Sequence, residues 1–133
     1  MVEINAYSKA KDGNKKLSTN FKVKEFACKD GSDAVLVAPR LVMVLQSIRS
    51  RFGAAVTINS GYRTPQYNTK VGGVAHSQHC YGTAADITVK GQTPTAVAAY
   101  ARQIMSDWGG VGVYAKQNFT HIDVRETRSD WDG

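Results

Sequence analysis

Residues 76–89 read His76-Ser77-Gln78-His79-Cys80-Tyr81-Gly82-Thr83-Ala84-Ala85-Asp86-Ile87-Thr88-Val89, and the last six of them set the fold. Ala84–Val89 has the alternation of a half-buried strand, with Ile87 and Val89 on one side and Ala84, Asp86 and Thr88 on the other. A carboxylate thus rides on the face turned away from the core. Downstream, Thr93-Pro94 opens a helix carrying Val97, Tyr100, Ile104 and Trp108 and stopping at Gly109-Gly110. Upstream, Pro39 starts a helix of about 14 residues, with Leu41, Leu45, Ile48 and Phe52 in one apolar stripe and Gly53 as its left-handed stop. Further strands are predicted at Ala55–Asn59, Val111–Tyr114 and Thr120–Arg125.

This order does not alternate regularly enough for a parallel doubly wound sheet. It predicts an α+β fold, a largely antiparallel sheet of about four strands flanked by helices. One domain is expected over 1–133, with an N-terminal arm at 1–27, a core over about 28–126 and a tail at 127–133. A chain of this length buries roughly 65–70% of the surface exposed on unfolding, so its core needs no metal or disulfide staple. A metal here would serve function.

Hydrophobic residues make up 42% and charged residues 21% of the chain, which argues against disordered, collagenous, coiled-coil and disulfide-scaffold classes. No apolar run reaches the length of a membrane span, and the first residues hold no Sec-type apolar stretch, so synthesis in the cytoplasm without a signal peptide is expected. The formal net charge is +6, and seven lysines fall in the first 29 positions. They form either a solvated face or a surface for a polyanion. No helix-turn-helix, RNA-stacking or basic-plus-heptad pattern accompanies them, so nucleic acid is not an expected partner. Cys28 and Cys80 are expected as free thiols, and no CxxC spacing marks Cys80 as a ligand.

The final strand prediction places Phe119, His121, Asp123 and Arg125 on one face and Thr120, Ile122 and Val124 on the other. The β-branched set faces the core, so His121 and Asp123 project away from it. Adjacent strands can then present Asp86 and His121 together, with His79 delivered by the loop of about 22 residues from Ser60 to Tyr81. Two imidazoles, a carboxylate and an open fourth position make a common catalytic-zinc ligand set. Each residue taken singly also has a plainer reading: a solvated loop histidine, an aspartate capping a turn, a strand histidine bonded to backbone.

Ser77, His79, Gly82, Ala84 and Asp86 match in full the SxHxxGxAxD pattern of the zinc D-alanyl-D-alanine carboxypeptidase family, which includes phage L-alanyl-D-glutamate endopeptidases and vancomycin-resistance dipeptidases. Ser60-Gly61-Tyr62-Arg63-Thr64 resembles that family's SGYRT segment. Gly112-Val113-Tyr114 and His121-Ile122-Asp123-Val124-Arg125 resemble its closing strands, and the likeness covers nearly the whole chain. The resemblance implies the fold shared with hedgehog domains and a Zn2+ ion on His79, Asp86 and His121. It also implies that Arg63 neutralises substrate charge while Ser77 lies beside the substrate. Zinc lowers the pKa of bound water to about 7 and polarises a carbonyl, so a peptide bond can be cut without a covalent intermediate.

Better-known members carry a carboxylate three residues before the last histidine, or a histidine two before it, to handle the proton. Here those positions hold Asn118 and Phe119. Asp123 is the nearest carboxylate, roughly 7 Å along the strand from His121, either as general base or as the group that accepts a ligand imidazole's N–H or pairs with Arg125. His76 could reach the metal or stay in solvent, and Tyr62, Tyr81 and Tyr114 could line the cleft or pack, Tyr62 being the one assigned to substrate binding. The expectation is a monomeric zinc peptidase, either a D,D-carboxypeptidase or an endopeptidase, acting on peptidoglycan stem peptides after holin-dependent release like a prophage endolysin. The alternative is a zinc-containing wall-binding module that no longer cuts.

Overall fold

Pro39 begins the longest helix, where its missing N–H has no helical partner to forfeit, and Gly53 closes it with φ 58°. The computed structural model describes residues 2–133. In chain order the elements are β1 (Asn5–Ser8), α1 (Lys9–Asp12), β2 (Lys16–Ser18), β3 (Phe21–Lys22), β4 (Ala34–Val37), α2 (Pro39–Phe52), β5 (Val56–Ser60) and α3 (Pro65–Lys70). They continue with β6 (Ala84–Val89), α4 (Pro94–Met105), β7 (Gly110–Tyr114), β8 (Phe119–Asp123) and β9 (Ser129–Asp132). Short 3-10 turns occupy Val23–Phe26 and Gln78–Tyr81.

The main sheet has the order β5-β6-β8-β7-β9, antiparallel throughout except for the parallel pair β7/β9. The α+β class and the dominance of antiparallel pairing agree with the sequence expectation; the sheet is one strand wider than expected. That strand, β9, lies in the stretch read as a tail. Its backbone docks through the Ser129 N–H on the Gly109 carbonyl and the Gly133 N–H on the Val113 carbonyl.

Helices α2 and α4 cover one face of this sheet. Leu41, Leu45 and Ile48 of α2 and Val97, Ala98, Ala101 and Met105 of α4 join Ile87, Val111 and Ile122 in the core. Thr120 faces the same way, its hydroxyl donating to the Pro94 carbonyl at 3.1 Å. The opposite sheet face carries the chemistry. Helix α4 ends at Met105, earlier than the Gly109-Gly110 stop expected, because Ser106 takes a φ of 56° and turns the chain out. Trp108 then lies outside the helix, its ring 4.9 Å from the Arg40 guanidinium.

The N-terminal arm is part of the core. β1 pairs with β4, β2 with β3, and Phe21, Val23 and Phe26 are fully buried. Each such side chain contributes roughly 1.5–3 kcal/mol when taken out of water. The segment from Ser60 to Tyr81 is likewise built rather than loose. Thr64 caps α3 by accepting the Tyr67 N–H at 3.1 Å, and Ser77 accepts the His79 N–H at 3.2 Å to start the second 3-10 turn.

Candidate metal centre

Sheet register brings the centre together. Asp86 on β6 stands directly opposite His121 on β8, and the 3-10 turn entering β6 holds His79 beside both. His121 Nδ1 lies 2.9 Å from Asp86 Oδ1, and His79 Nε2 lies 3.3 Å from Asp86 Oδ2. The ligand atoms of all three residues fall within 4.8 Å of one another. A tetrahedral ion with arms of 2.0–2.2 Å needs its ligands about 3.4 Å apart, so the spacing suits one ion.

The outer nitrogens are already committed. His79 Nδ1–H donates to the Gly61 carbonyl at 2.8 Å, and His121 Nε2–H donates to Asp123 Oδ2 at 2.8 Å. The inner nitrogens, His79 Nε2 and His121 Nδ1, therefore face Asp86, the tautomer arrangement of metal-ligating histidines. Burial alone would raise the Asp86 carboxyl, but hydrogen bonds from His121 and His79 outweigh it and hold it well below the usual carboxylate range. Burial also opposes charge on His121, yet its bonds to Asp123 and Asp86 prevail and raise its proton affinity. Bonded to two carboxylates, the ring satisfies both by carrying a proton on each nitrogen or by placing a cation at the inner one. Donor types, spacing and fixed tautomers fit a divalent metal ion.

The three residues lie in a cleft of about 420 Å³, which Arg63, Ser77, Tyr114, Arg125 and Trp131 also line. A larger groove of about 800 Å³ lies between the N-terminal strands and α2, near Tyr7, Met43 and Tyr100, and none of its lining residues is a histidine, cysteine or carboxylate. Chemistry therefore assigns the site to the smaller cleft. Arg63 is held there on three sides. Its Nε donates to Ser60 Oγ at 3.1 Å, Nη1 to Asn68 Oδ1 at 3.1 Å, and Nη2 lies 3.5 Å from Asp86 Oδ2.

Asp123 shares the sheet face with His121, as the strand period predicts, but is 0% exposed and does not line the cleft. Arg125 grips it through Nε at 2.8 Å and Nη2 at 2.6 Å. Burial would raise the Asp123 carboxyl; His121 and Arg125 outweigh it and hold it low. Asp123 is thus a hydrogen-bond partner of the His121 imidazole and an ion-pair partner of Arg125. Tyr62 falls outside the cleft lining too, half-buried near Cys28 and Cys80, with its phenol pushed up chiefly by burial. Both thiols are free, and Cys80 stands outside the metal-ligating group. His76 is exposed, with the Tyr81 hydroxyl 3.4 Å from its Nδ1. Asn118 turns the β7–β8 hairpin at φ 59°, and Phe119 stacks on Tyr114 at 4.4 Å.

Two residues that shape the cleft went unread in the sequence. Asn68, behind the lining, ties Arg63 to the Val74 carbonyl, and Trp131 lines the cleft from the presumed tail. The Thr64-Pro65 pair could have revealed the helix that carries Asn68, since it repeats the Thr93-Pro94 start.

Residues 17–123, more than three quarters of the chain, match the model of the family described as Peptidase M15. This chain belongs to the peptidase M15 family. It is also 35% identical over 80 residues to the zinc D-Ala-D-Ala carboxypeptidase of Streptomyces albus G, an alignment covering 59% of this chain. The chain matches 31% of the length of that relative. In this M15 chain the family match closes at Asp123, so Arg125 and Trp131 join the cleft from beyond it.

Proposed function

We propose that this M15 chain is a zinc-dependent peptidase hydrolysing stem-peptide bonds of peptidoglycan. The observation that carries the reading is the convergence of His79 Nε2, Asp86 and His121 Nδ1 within 4.8 Å at an open cleft. The zinc relative from Streptomyces supports the metal and the substrate class. A zinc ion on these ligands would supply a Lewis acid and would lower the pKa of water to about 7.

The chain's own residues would do the rest. The Gly61 carbonyl and Asp123 fix the imidazole tautomers, so both inner nitrogens point the same way before any ion arrives. Arg63, held by Ser60 and Asn68, presents its guanidinium beside the ligand group, where it can stabilise negative charge developing on a substrate oxygen without reorganising. Ser77 holds the backbone of His79 in its 3-10 turn. Soluble peptide released from purified peptidoglycan, abolished by a chelator and restored by zinc, is the expected result. Release that survives the chelator would remove zinc from the reaction.

One observation favours a second reading. Among the described residues, Asp86 is the sole carboxylate lining the cleft, and it belongs to the ligand group. A wall-binding module that keeps the ion and no longer cuts would bind peptidoglycan sacculi while releasing no product. The hydrolytic reading requires access to the wall. We propose holin-dependent release of a monomer, as for a prophage endolysin: cultures expressing the chain with a holin would lyse, and cultures expressing the chain alone would not.

A further inference from the structure

Trp131 lies outside the family match, in a stretch whose sequence shows no periodicity, yet its ring centroid sits 5.1 Å from that of His121. Three contacts fix it there. Its Nε1–H donates to the Tyr114 hydroxyl at 2.8 Å, and Tyr114 is itself stacked on Phe119. The Arg125 guanidinium packs against the indole at 5.4 Å. Parallel pairing of β9 with β7 sets Trp131 opposite Gly112, where a Cβ would come within 2.6 Å of the indole Cε2 and Nε1. Only glycine leaves room for the ring at that register.

The indole therefore touches both groups that present the cleft's chemistry on this side. One is the ligand His121, which Asp123 holds from behind. The other is Arg125, whose inner edge is spent on Asp123 while the residue lines the cleft. Hydrogen bonds hold the His121 ring only at its two nitrogens, to Asp86 and Asp123, and Arg125 only along the edge facing Asp123. The tilt of the ring about the line of its nitrogens and the outer part of the guanidinium are thus left to contacts on their faces. An aromatic face supplies that restraint to a planar cation and to a neighbouring ring.

We propose that Trp131 is a positioning residue of the metal centre: its indole sets the orientation of the His121 ring toward the ion and of the Arg125 guanidinium toward a substrate anion. The substrate part of this inference rests on the peptidase reading, whereas the metal part is testable without it. The strand is held by its own backbone bonds and by Asp130 with Arg102 and Arg128, so truncating the indole does not require β9 to detach.

The test measures zinc affinity by competition with a chromogenic chelator, and KM and kcat on stem peptides, for wild type, Trp131→Ala, Trp131→Phe and Tyr114→Phe. Trp131→Ala is expected to weaken zinc by about tenfold, the lower end for groups that orient metal ligands. It should raise KM about two- to fivefold, as loss of an exposed cation–π contact would. Trp131→Phe, which keeps an aromatic face, should recover most of both. Zinc affinity and KM unchanged in folded Trp131→Ala would overturn the proposal. Should that variant not fold, Tyr114→Phe decides: removing the indole's acceptor should loosen zinc about threefold, and no change counts against the proposal. Wild type that binds zinc without hydrolysing any peptide would refute the peptidase reading while the zinc comparison still judges Trp131.

Discussion

His121 has no freedom in this site: one ring nitrogen faces Asp86, the other Asp123, and Trp131 flanks the ring. Asp123→Asn preserves shape but replaces a charged acceptor and breaks the double grip of Arg125. Zinc affinity is expected to fall about 10- to 100-fold in a chelator competition, and an unaltered affinity would deny Asp123 its orienting role. Arg63→Lys loses the planar fork that meets Ser60, Asn68 and Asp86 together. Its kcat/KM should drop about 10²- to 10³-fold with zinc content unchanged, and metal loss in parallel would contradict a role confined to substrate charge. At this scale the candidate ligands were legible because a period of two put Asp86 and His121 on non-core faces and a spaced motif contained His79. The place of Asp123 was not: shared facing with His121 says nothing about whether neighbouring strands and Arg125 close over the carboxylate.

Among elements, β9 matters most to the site and was least visible. Four residues with two aspartates carry no strand signal alone; the pairing comes from the exposed edge of β7. Its clamp is electrostatic. Arg128 first, then Arg102, hold the Asp130 carboxyl below its ordinary value. A depressed carboxyl contributes stability above its unfolded pKa of about 3.9 and loses it as pH falls through the folded value. Docking of β9 should therefore be constant from pH 8 to 5 and loosen below about pH 4, seen as faster amide exchange at Val113 and Gly133; exchange that quickens already at pH 6 would point to another group. Helix starts were far easier to read. Thr93 accepts the Ala96 N–H at 3.1 Å, and Thr93→Ala should cost about 1 kcal/mol, or roughly 3–5 °C in Tm, by thermal melting.

For the molecule as a whole, an ion shared by residues 79, 86 and 121 would tie together β6, β8 and the 3-10 turn that enters β6. At zinc 100-fold above its Kd the folded state gains about 2.7 kcal/mol, so chelation should lower Tm by about 10 °C, and a Tm indifferent to zinc would count against a site in the folded protein. The sequence by itself determined the α+β class, the two long helices, the face each central strand turns to the core and the residues able to ligate a metal. These follow from local periodicity, caps and spacing, which neighbouring residues impose without reference to the rest of the chain. Tertiary structure alone decided that the N-terminal arm enters the core, that Tyr62 turns toward the thiols, that Asp123 is sealed behind His121 and that Trp131 closes the cleft wall. Each of these depends on which distant backbone lies alongside, and such pairing is set by the packing of the whole chain.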